Sequence, residues 1–432
     1  MKKRIYAGVG ASVVLVVAVL AVTVGSAIAH TSGATPLPAA SCSAIQNPNG
    51  KYLIASDLPL QGSGRTQTIQ MGKAIAFILK QNNWTAGKYT LAYQACDDST
   101  AQAGKWDSGK CSTNANNYAQ DSSVVGVLGT FNSGCAEIIV PVLNRAPNGP
   151  VAMVSPANTY VGLTHTGPGT VAGEPGKYYP TGKRNYARVV AADDYQGAAD
   201  ALLAKSLGVR KVFILNDKEA YGLGVAQNFK NAASKLGITT VGFTAWDGKA
   251  SSYQALAVKI KASGAQGVFV GGLICENGGK LIKDIRAGVP ASVKIMLPDG
   301  FTPASATIKE AGSAAQGATI SVAGLPNSAL VGAGEKFVKD FTSAVGAPDP
   351  YSVYAAQAAL VMIQAIKQSN GTRADVTKQL FKVDLKNSIL GNVSFNANGD
   401  VTSNPVTIYK VKGNSAPTLK VIVPPKALVK AA

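Results

Sequence analysis

From residue 50 onward, short apolar runs alternate with stretches whose apolar residues recur at helical spacing, and few folds accept that rhythm. Residues 52–56, 89–93, 124–128 and 151–154 read as buried strands, and residues 69–79 and 136–143 between them carry a helical pattern. Strands that follow one another through helices pair in parallel, and a parallel sheet is covered on both faces. A Gly/Pro-rich stretch at residues 165–184, with Gly167-Pro168-Gly169 and Glu174-Pro175-Gly176, interrupts the rhythm and reads as a long surface loop. The alternation then restarts, with strands at 212–215, 240–243, 268–270 and 294–297 and helices at 221–236, 253–263 and 279–287. The predicted fold class is α/β, two doubly wound parallel-sheet lobes in series.

About 400 residues beyond any leader exceed what one hydrophobic core serves, and 46% hydrophobic with 15% charged residues describes a packed globular protein. Met1-Lys2-Lys3-Arg4, an uncharged apolar run at 5–24 and Ala27-Ile28-Ala29 have the layout of a signal peptide with its cleavage site, so export is the leading reading. The run is also long enough to span a bilayer as an uncleaved anchor, and lipidation at Cys42, in a poorly matching context, is a third route. The formal charge is +18, of which three charges lie in the first 29 residues, leaving +15. The basic residues are scattered singly, without a stripe or interleaved aromatics, which argues against a nucleic-acid partner and fits a place beside anionic envelope polymers. Five cysteines, at 42, 96, 111, 135 and 275, read as paired in an oxidising compartment, and with only two histidines no metal site is foreseen. Cys96 and Cys111 bracket a polar segment, and a bridge between them, worth about 3 kcal/mol in loop entropy, is the expected pair. At least one thiol is left over.

In doubly wound sheets the ligand lies beyond the carboxyl ends of the strands. The loops at those positions run Asp57-Leu-Pro-Leu-Gln-Gly-Ser-Gly64, Gly129-Thr-Phe-Asn-Ser-Gly134, Ser155-Pro-Ala-Asn-Thr159, Asn216-Asp-Lys-Glu-Ala-Tyr-Gly222, Gly271-Gly-Leu-Ile-Cys-Glu276 and Pro298-Asp-Gly-Phe301. They are rich in hydroxyls and amides and carry few charges, which suits holding a small zwitterion. No G-x-S-x-G, H-E-x-x-H, G-x-G-x-x-G or phosphate-loop pattern occurs, and His165 sits in the Gly/Pro-rich stretch. Neither an enzymatic activity nor a cofactor is expected.

Six stretches in order, Ala95-Cys-Asp-Asp98, Gly126-Val-Leu-Gly-Thr-Phe-Asn-Ser133, Met153-Val-Ser-Pro-Ala-Asn-Thr159, Asp217-Lys-Glu-Ala-Tyr-Gly-Leu-Gly224, Val268-Phe-Val-Gly-Gly272 and Met296-Leu-Pro-Asp-Gly300, resemble the leucine/isoleucine/valine-binding protein family. That family has the type I periplasmic-binding fold and feeds branched-chain amino-acid ABC importers. The resemblance implies that Ser133, opening a helix, binds the ligand carboxylate beside free helix N–H groups. Asn158 and Thr159 match the segment that reaches both carboxylate and ammonium, Asp299 the acid that accepts the ammonium, and Tyr221 an aromatic of the side-chain pocket. Each also has a plain structural reading: Ser133 as an N-cap, Asn158-Thr159 and Asp299-Gly300 as turns, Tyr221 as core. Two positions depart from the family pattern: Gly62-Ser63-Gly64-Arg65 replaces a common aromatic in the first loop, and Leu273 replaces a common tyrosine. Gln61 and Arg65 are the candidate specificity residues, suited to a longer or more polar ligand.

The resemblance further implies three crossings between the lobes, near residues 189–194, 318–324 and 388–393. The expected organisation is a signal peptide or N-terminal anchor at 1–29, a linker at 30–42, lobe one at 43–190 plus 322–388, lobe two at 191–321 plus 389–423, and a flexible tail at 424–432. The apolar helix 354–366 covers the first sheet. Such a chain is an exported monomer that hands an amino acid or related small polar ligand to an ABC permease. An extracellular sensor, or an amide- or urea-type receptor, is the alternative on the same scaffold.

Overall fold

The computed structural model describes residues 33–429; the leader or anchor expected at 1–29 lies outside the described residues. Among the described residues no helix is long and apolar enough to cross a membrane.

The first sheet contains β1 (Tyr52–Leu58), β2 (Thr85–Ala86), β3 (Tyr89–Asp97) and, after a small hairpin of β4 (Ser99–Thr100) and β5 (Lys105–Trp106), β6 (Val124–Gly129), β7 (Ala152–Ser155) and β8 (Tyr186–Arg188). Their spatial order is β2-β3-β1-β6-β7-β8, parallel except for the short β2. The second sheet takes β9 (Lys211–Asn216), β10 (Thr239–Ala245), β11 (Gly267–Gly271), β12 (Lys294–Leu297) and β13 (Thr319–Val322). A second hairpin, β14 (Asp384–Ser388) and β15 (Gly391–Ser394), precedes its last members, β16 (Val406–Lys410) and β17 (Thr418–Ile422), which run antiparallel. The order is β10-β9-β11-β12-β13-β16-β17. β6 and β11 are buried along their whole length, as strands covered on both faces must be, and this is why they read as unbroken apolar runs.

Helices α1 (Arg65–Gln81), α2 (Ser108–Gln120) and α3 (Ser133–Asn144) connect the first sheet; α4 (Asp193–Ser206), α5 (Ala220–Lys235), α6 (Gln254–Ala262), α7 (Gly278–Gly288) and α8 (Ala304–Ala311) belong to the second. The chain then returns through α9 (Ala333–Ala344), α10 (Pro350–Gln368) and α11 (Arg373–Leu380) to complete the first lobe, and ends in α12 (Lys426–Val429). Pro350 starts α10 where a missing amide costs nothing, and the helix buries most of its surface against α1 and the first sheet. Close approach is possible because β6 carries Gly126: a Cβ there would sit 2.4 Å from Met362 Sδ.

Several expectations need correction. The third crossing falls between Val401 and Val406 rather than at 388–393, because Ile389, Val393 and Val401 bury themselves in the core of the first lobe. Residues 33–42 are not a free linker: Ala34 and Leu37 enter a core cluster of that lobe, and Leu37 N donates to Gln94 Oε1 at 2.7 Å. The tail is ordered through Val429, with Leu428 and Val429 packed on the core beside α5. The stretch 165–184 is anchored, not merely superficial, since buried Glu174 accepts from Tyr160 (2.7 Å) and Tyr178 (2.6 Å) hydroxyls.

The disulfides also differ from the expected Cys96–Cys111 pair: Cys42 bonds Cys96 and Cys111 bonds Cys135. Residues 42–46 run antiparallel beside β3, with Ser43 N donating to Ala95 O at 2.8 Å, which brings the Cys42 and Cys96 Cα atoms to 3.9 Å. Cys111, on α2, faces the first turn of α3, 5.6 Å from Cys135 between Cα atoms. Cys275 is the free thiol among the described residues.

Candidate functional site

The carboxyl ends of strands from both sheets face one cleft. On the first lobe, the loop after β6 leads into α3, whose first residue is Ser133. Ser133 Oγ accepts the Tyr160 amide at 3.4 Å, which leaves its own proton free to donate into the cleft. The first amides of α3 have no intrahelical acceptor and carry the positive end of the helix dipole. The loop after β7 is locked to this one: Ser155 Oγ donates to Thr130 O (3.0 Å) and accepts from Asn158 N (2.8 Å), and Asn158 Nδ2 donates to Thr130 Oγ1 (3.2 Å) and Phe131 O (3.0 Å). Buried Arg188 completes the brace, donating to Asn158 O (3.1 Å) and Tyr160 O (2.9 Å) while pairing with Asp400 (2.8 Å).

On the second lobe, Asp217 organises two loops by accepting Glu219 N (3.0 Å) and Leu273 N (2.9 Å). Tyr221, in the first turn of α5, donates its hydroxyl to Asp299 Oδ1 at 2.5 Å and accepts Gly300 N at 2.9 Å. Tyr351, from α10 of the other lobe, donates to Asp299 Oδ2 at 2.5 Å. Gly300 has no room for a side chain, since a Cβ would lie 2.2 Å from Gly272 O and 2.8 Å from the Tyr221 ring. Burial pushes the Asp299 carboxyl above its usual range, opposed by the two tyrosine hydroxyls. Asp193 is also buried; burial and then the charge of Asp299 raise it well above the usual range, opposed by the Thr159 hydroxyl and the charge of Arg188. Its amide donates to Thr159 O at 2.8 Å.

The cavity between the lobes is tightly closed, with about 20 Å³ open to the centre of a water-sized sphere, room for about one or two waters. Ser133, Thr159, Tyr221, Leu273 and Asp299 all line it. Asn158 stands behind the wall, its amide committed to the protein. Gln61 is tied to Asp97 (2.8 Å) at the start of the β4–β5 hairpin, and Arg65 is exposed at the head of α1; neither is in the wall. Trp106, Phe131, Asn132, Gly134 and Glu219 also line the cavity, with Ala157 and Gly300, and were not singled out from sequence. Phe131, Asn132, Gly134 and Glu219 lie in the loops after strands, where the doubly wound rule pointed; Trp106 lies in the polar segment before Cys111 and had no such signal. Across the cleft mouth, Lys105 pairs with Glu219 (2.9 Å) and with Glu276, and Gln67 donates to Thr302 (3.1 Å).

Two doubly wound lobes crossed three times by one chain, closed on a small cavity that both of them wall, define a bilobal solute-binding protein. The chain belongs to the periplasmic binding protein family, whose sequence model matches residues 58–416. An amino acid binding protein of Pseudomonas aeruginosa is 23% identical over 68% of this chain and 74% of its own length. A Leu/Ile/Val-binding protein homolog of Brucella abortus is 27% identical over the same shares. Among solved structures, a leucine-binding protein from Thermotoga maritima superposes with a TM-score of 0.73 at 20% identity, covering 86% of this chain and 99% of that one, which shows the shared fold.

Proposed function

We propose that the chain is an exported solute-binding protein that closes on the charged ends of an α-amino acid and delivers it to an ABC importer. The observation that carries this reading is the meeting, in one cavity, of a helix start suited to an anion on lobe one with a buried carboxylate on lobe two. In this reading the ligand carboxylate lies against Ser133, Thr159 and the first amides of α3. Its ammonium lies at Asp299, with Asp193 as the second buried carboxyl nearby. Because the groups that take the two charges belong to different lobes, the ligand binds the closed arrangement better than the open one, and the permease reads closure. Two disulfides support an oxidising, extracytoplasmic location. The names of the relatives support an amino acid as the ligand class.

The test is a thermal-shift panel of amino acids, followed by small-angle scattering. A ligand at 100 times its Kd adds about 2.7 kcal/mol to stability, and saturation is expected to hold the protein at its smaller radius of gyration. Failure of every amino acid to stabilise the protein refutes the reading, as does a radius that saturating ligand leaves unchanged.

A further inference from the structure

Resting on the amino-acid reading, the end of the cavity walled by Trp106 and Glu219 says which amino acids fit. The β4–β5 hairpin reaches out from lobe one and carries Trp106 into the wall. Its indole contacts the start of α3: a Cβ on Gly134 would lie 2.6 Å from Trp106 Cζ2 and 2.8 Å from Cη2. Trp106 Nε1 is buried with no acceptor among the described residues. Glu219 shares this end of the wall, and its Oε2 lies 3.5 Å from the same Cβ position on Gly134, beside the indole. Glu219 Oε1 is already held by Lys105 at 2.9 Å, and Lys105 also serves Glu276, so one cation faces two carboxylates here.

We propose that this end of the cavity receives a neutral amide-type side-chain terminus, its carbonyl oxygen accepting from Trp106 Nε1–H and its NH2 donating to Glu219 Oε2. A carboxylate terminus satisfies the indole but meets two glutamates with only one lysine between them. An ammonium or guanidinium terminus satisfies Glu219 but presents donors to a donor. An aliphatic side chain leaves the buried indole N–H without a partner, a loss that discriminates strongly between isosteres. A primary amide or a ureido group meets both demands at once.

Asparagine and leucine are near isosteres, so calorimetric titration of the full chain with asparagine, glutamine and leucine isolates the terminus. One of the two amides is expected to bind at least about tenfold more tightly than leucine. Trp106→Phe, which keeps a ring and removes the N–H, is expected to narrow that amide-over-leucine gap by about tenfold. Glu219→Gln, read separately, also removes the Lys105–Glu219 pair across the cleft and so is expected to weaken every ligand, but the amides more than leucine, and covers the case in which the Trp106 variant fails to fold. Leucine binding as tightly as both amides overturns the proposal and leaves the amino-acid reading standing. Parallel losses for all three ligands in both variants overturn it as well, since they would mark packing alone. If none of the three binds and the amino-acid panel is silent, the proposal falls together with the reading beneath it.

Discussion

Replacing Asp299 by Asn keeps the volume and one acceptor but removes the charge. In the wild-type protein both carboxylate oxygens accept tyrosine hydroxyls at 2.5 Å, from Tyr221 on one lobe and Tyr351 on the other, and the group is buried. An ammonium bound beside a neutral amide loses its counter-charge inside a closed cavity. Truncating one partner of such a desolvated pair costs about 2–5 kcal/mol, which raises Kd by about 30- to 5,000-fold. Stability of the empty protein moves the other way. Asp299 is raised above its usual range by burial and helps to raise Asp193, so neutralising it removes a repulsion between two buried carboxylates. The expected result is therefore a ligand-free melting temperature equal to or above wild type, together with loss of the ligand-induced shift and of the calorimetric signal. Wild-type affinity in Asp299→Asn refutes the placement of the ammonium. Lost binding accompanied by a fall in the ligand-free melting temperature refutes the separation of affinity from stability argued here.

His165 lies between Asp194 (3.1 Å) and Asp400 (3.2 Å); burial lowers its pKa, but the two carboxylates outweigh that and hold it at about 9. The folded protein thus keeps a proton that the unfolded chain releases near pH 6.5, so about 3 kcal/mol of stability is present below that pH and lost as pH rises through 9. Asp57, raised to about 7 chiefly by burial, acts in the same direction. Denaturant midpoints at pH 5.5, 7.5 and 9.5 are expected to fall in that order and to fall less in His165→Asn; a rise toward alkaline pH contradicts the assignment. Lys105→Ala removes the cation that bridges the cleft mouth, and Kd is expected to rise about 5- to 30-fold with a flatter dependence on salt than wild type. Equal salt slopes would show that the pairs do not contribute to closure. Replacing Cys111 and Cys135 by Ser opens a loop of 24 residues and is expected to cost about 3 kcal/mol, seen as a lower denaturant midpoint, whereas an unchanged midpoint contradicts the loop-entropy argument.

The parts of the fold that could be read from sequence are those whose physical constraint is local. β1 and β6 are covered on both faces, so they announce themselves as apolar runs, and the loops after them are where ligand groups gather. Ser133, Thr159, Tyr221, Leu273 and Asp299, singled out on that basis and on the family resemblance, line one cavity. What escaped is set by contacts distant in sequence. β14 is polar and largely exposed, so nothing in it tells that Ile389, Val393 and Val401 stay with the first core. Cysteine spacing carries no sign that residues 42–46 lie along β3. Tyr351 meets Asp299 only because α10 crosses back from the second sheet, and Trp106 enters the wall on a two-residue strand with no periodicity to detect.

If the amino-acid reading holds, closure of the empty protein is expected to be unfavourable for a reason written into the same residues. Bringing α10 across places Tyr351 on Asp299 and removes water from a carboxylate that already feels Asp193. The nearest buried cation, Arg188, cannot compensate both, because it is committed to Asp400 and to the carbonyls of Asn158 and Tyr160. On the proposed reading, a closed, empty cleft buries Asp299 and Asp193 without a counter-charge, a cost seen in the upward shift of both carboxyls, and the open state, where water reaches them, is expected to be favoured. On that reading, an ammonium brought by the ligand supplies the missing charge in the closed state only. The ligand thus shifts the equilibrium by its differential affinity, and the apparent Kd is weakened by whatever fraction of the empty protein stays open. Arg188 stands at the junction of this logic: it holds the loop after β7 from one side and the third crossing, through Asp400, from the other, so a wall of the cavity and a segment joining the lobes are parts of one hydrogen-bonded unit.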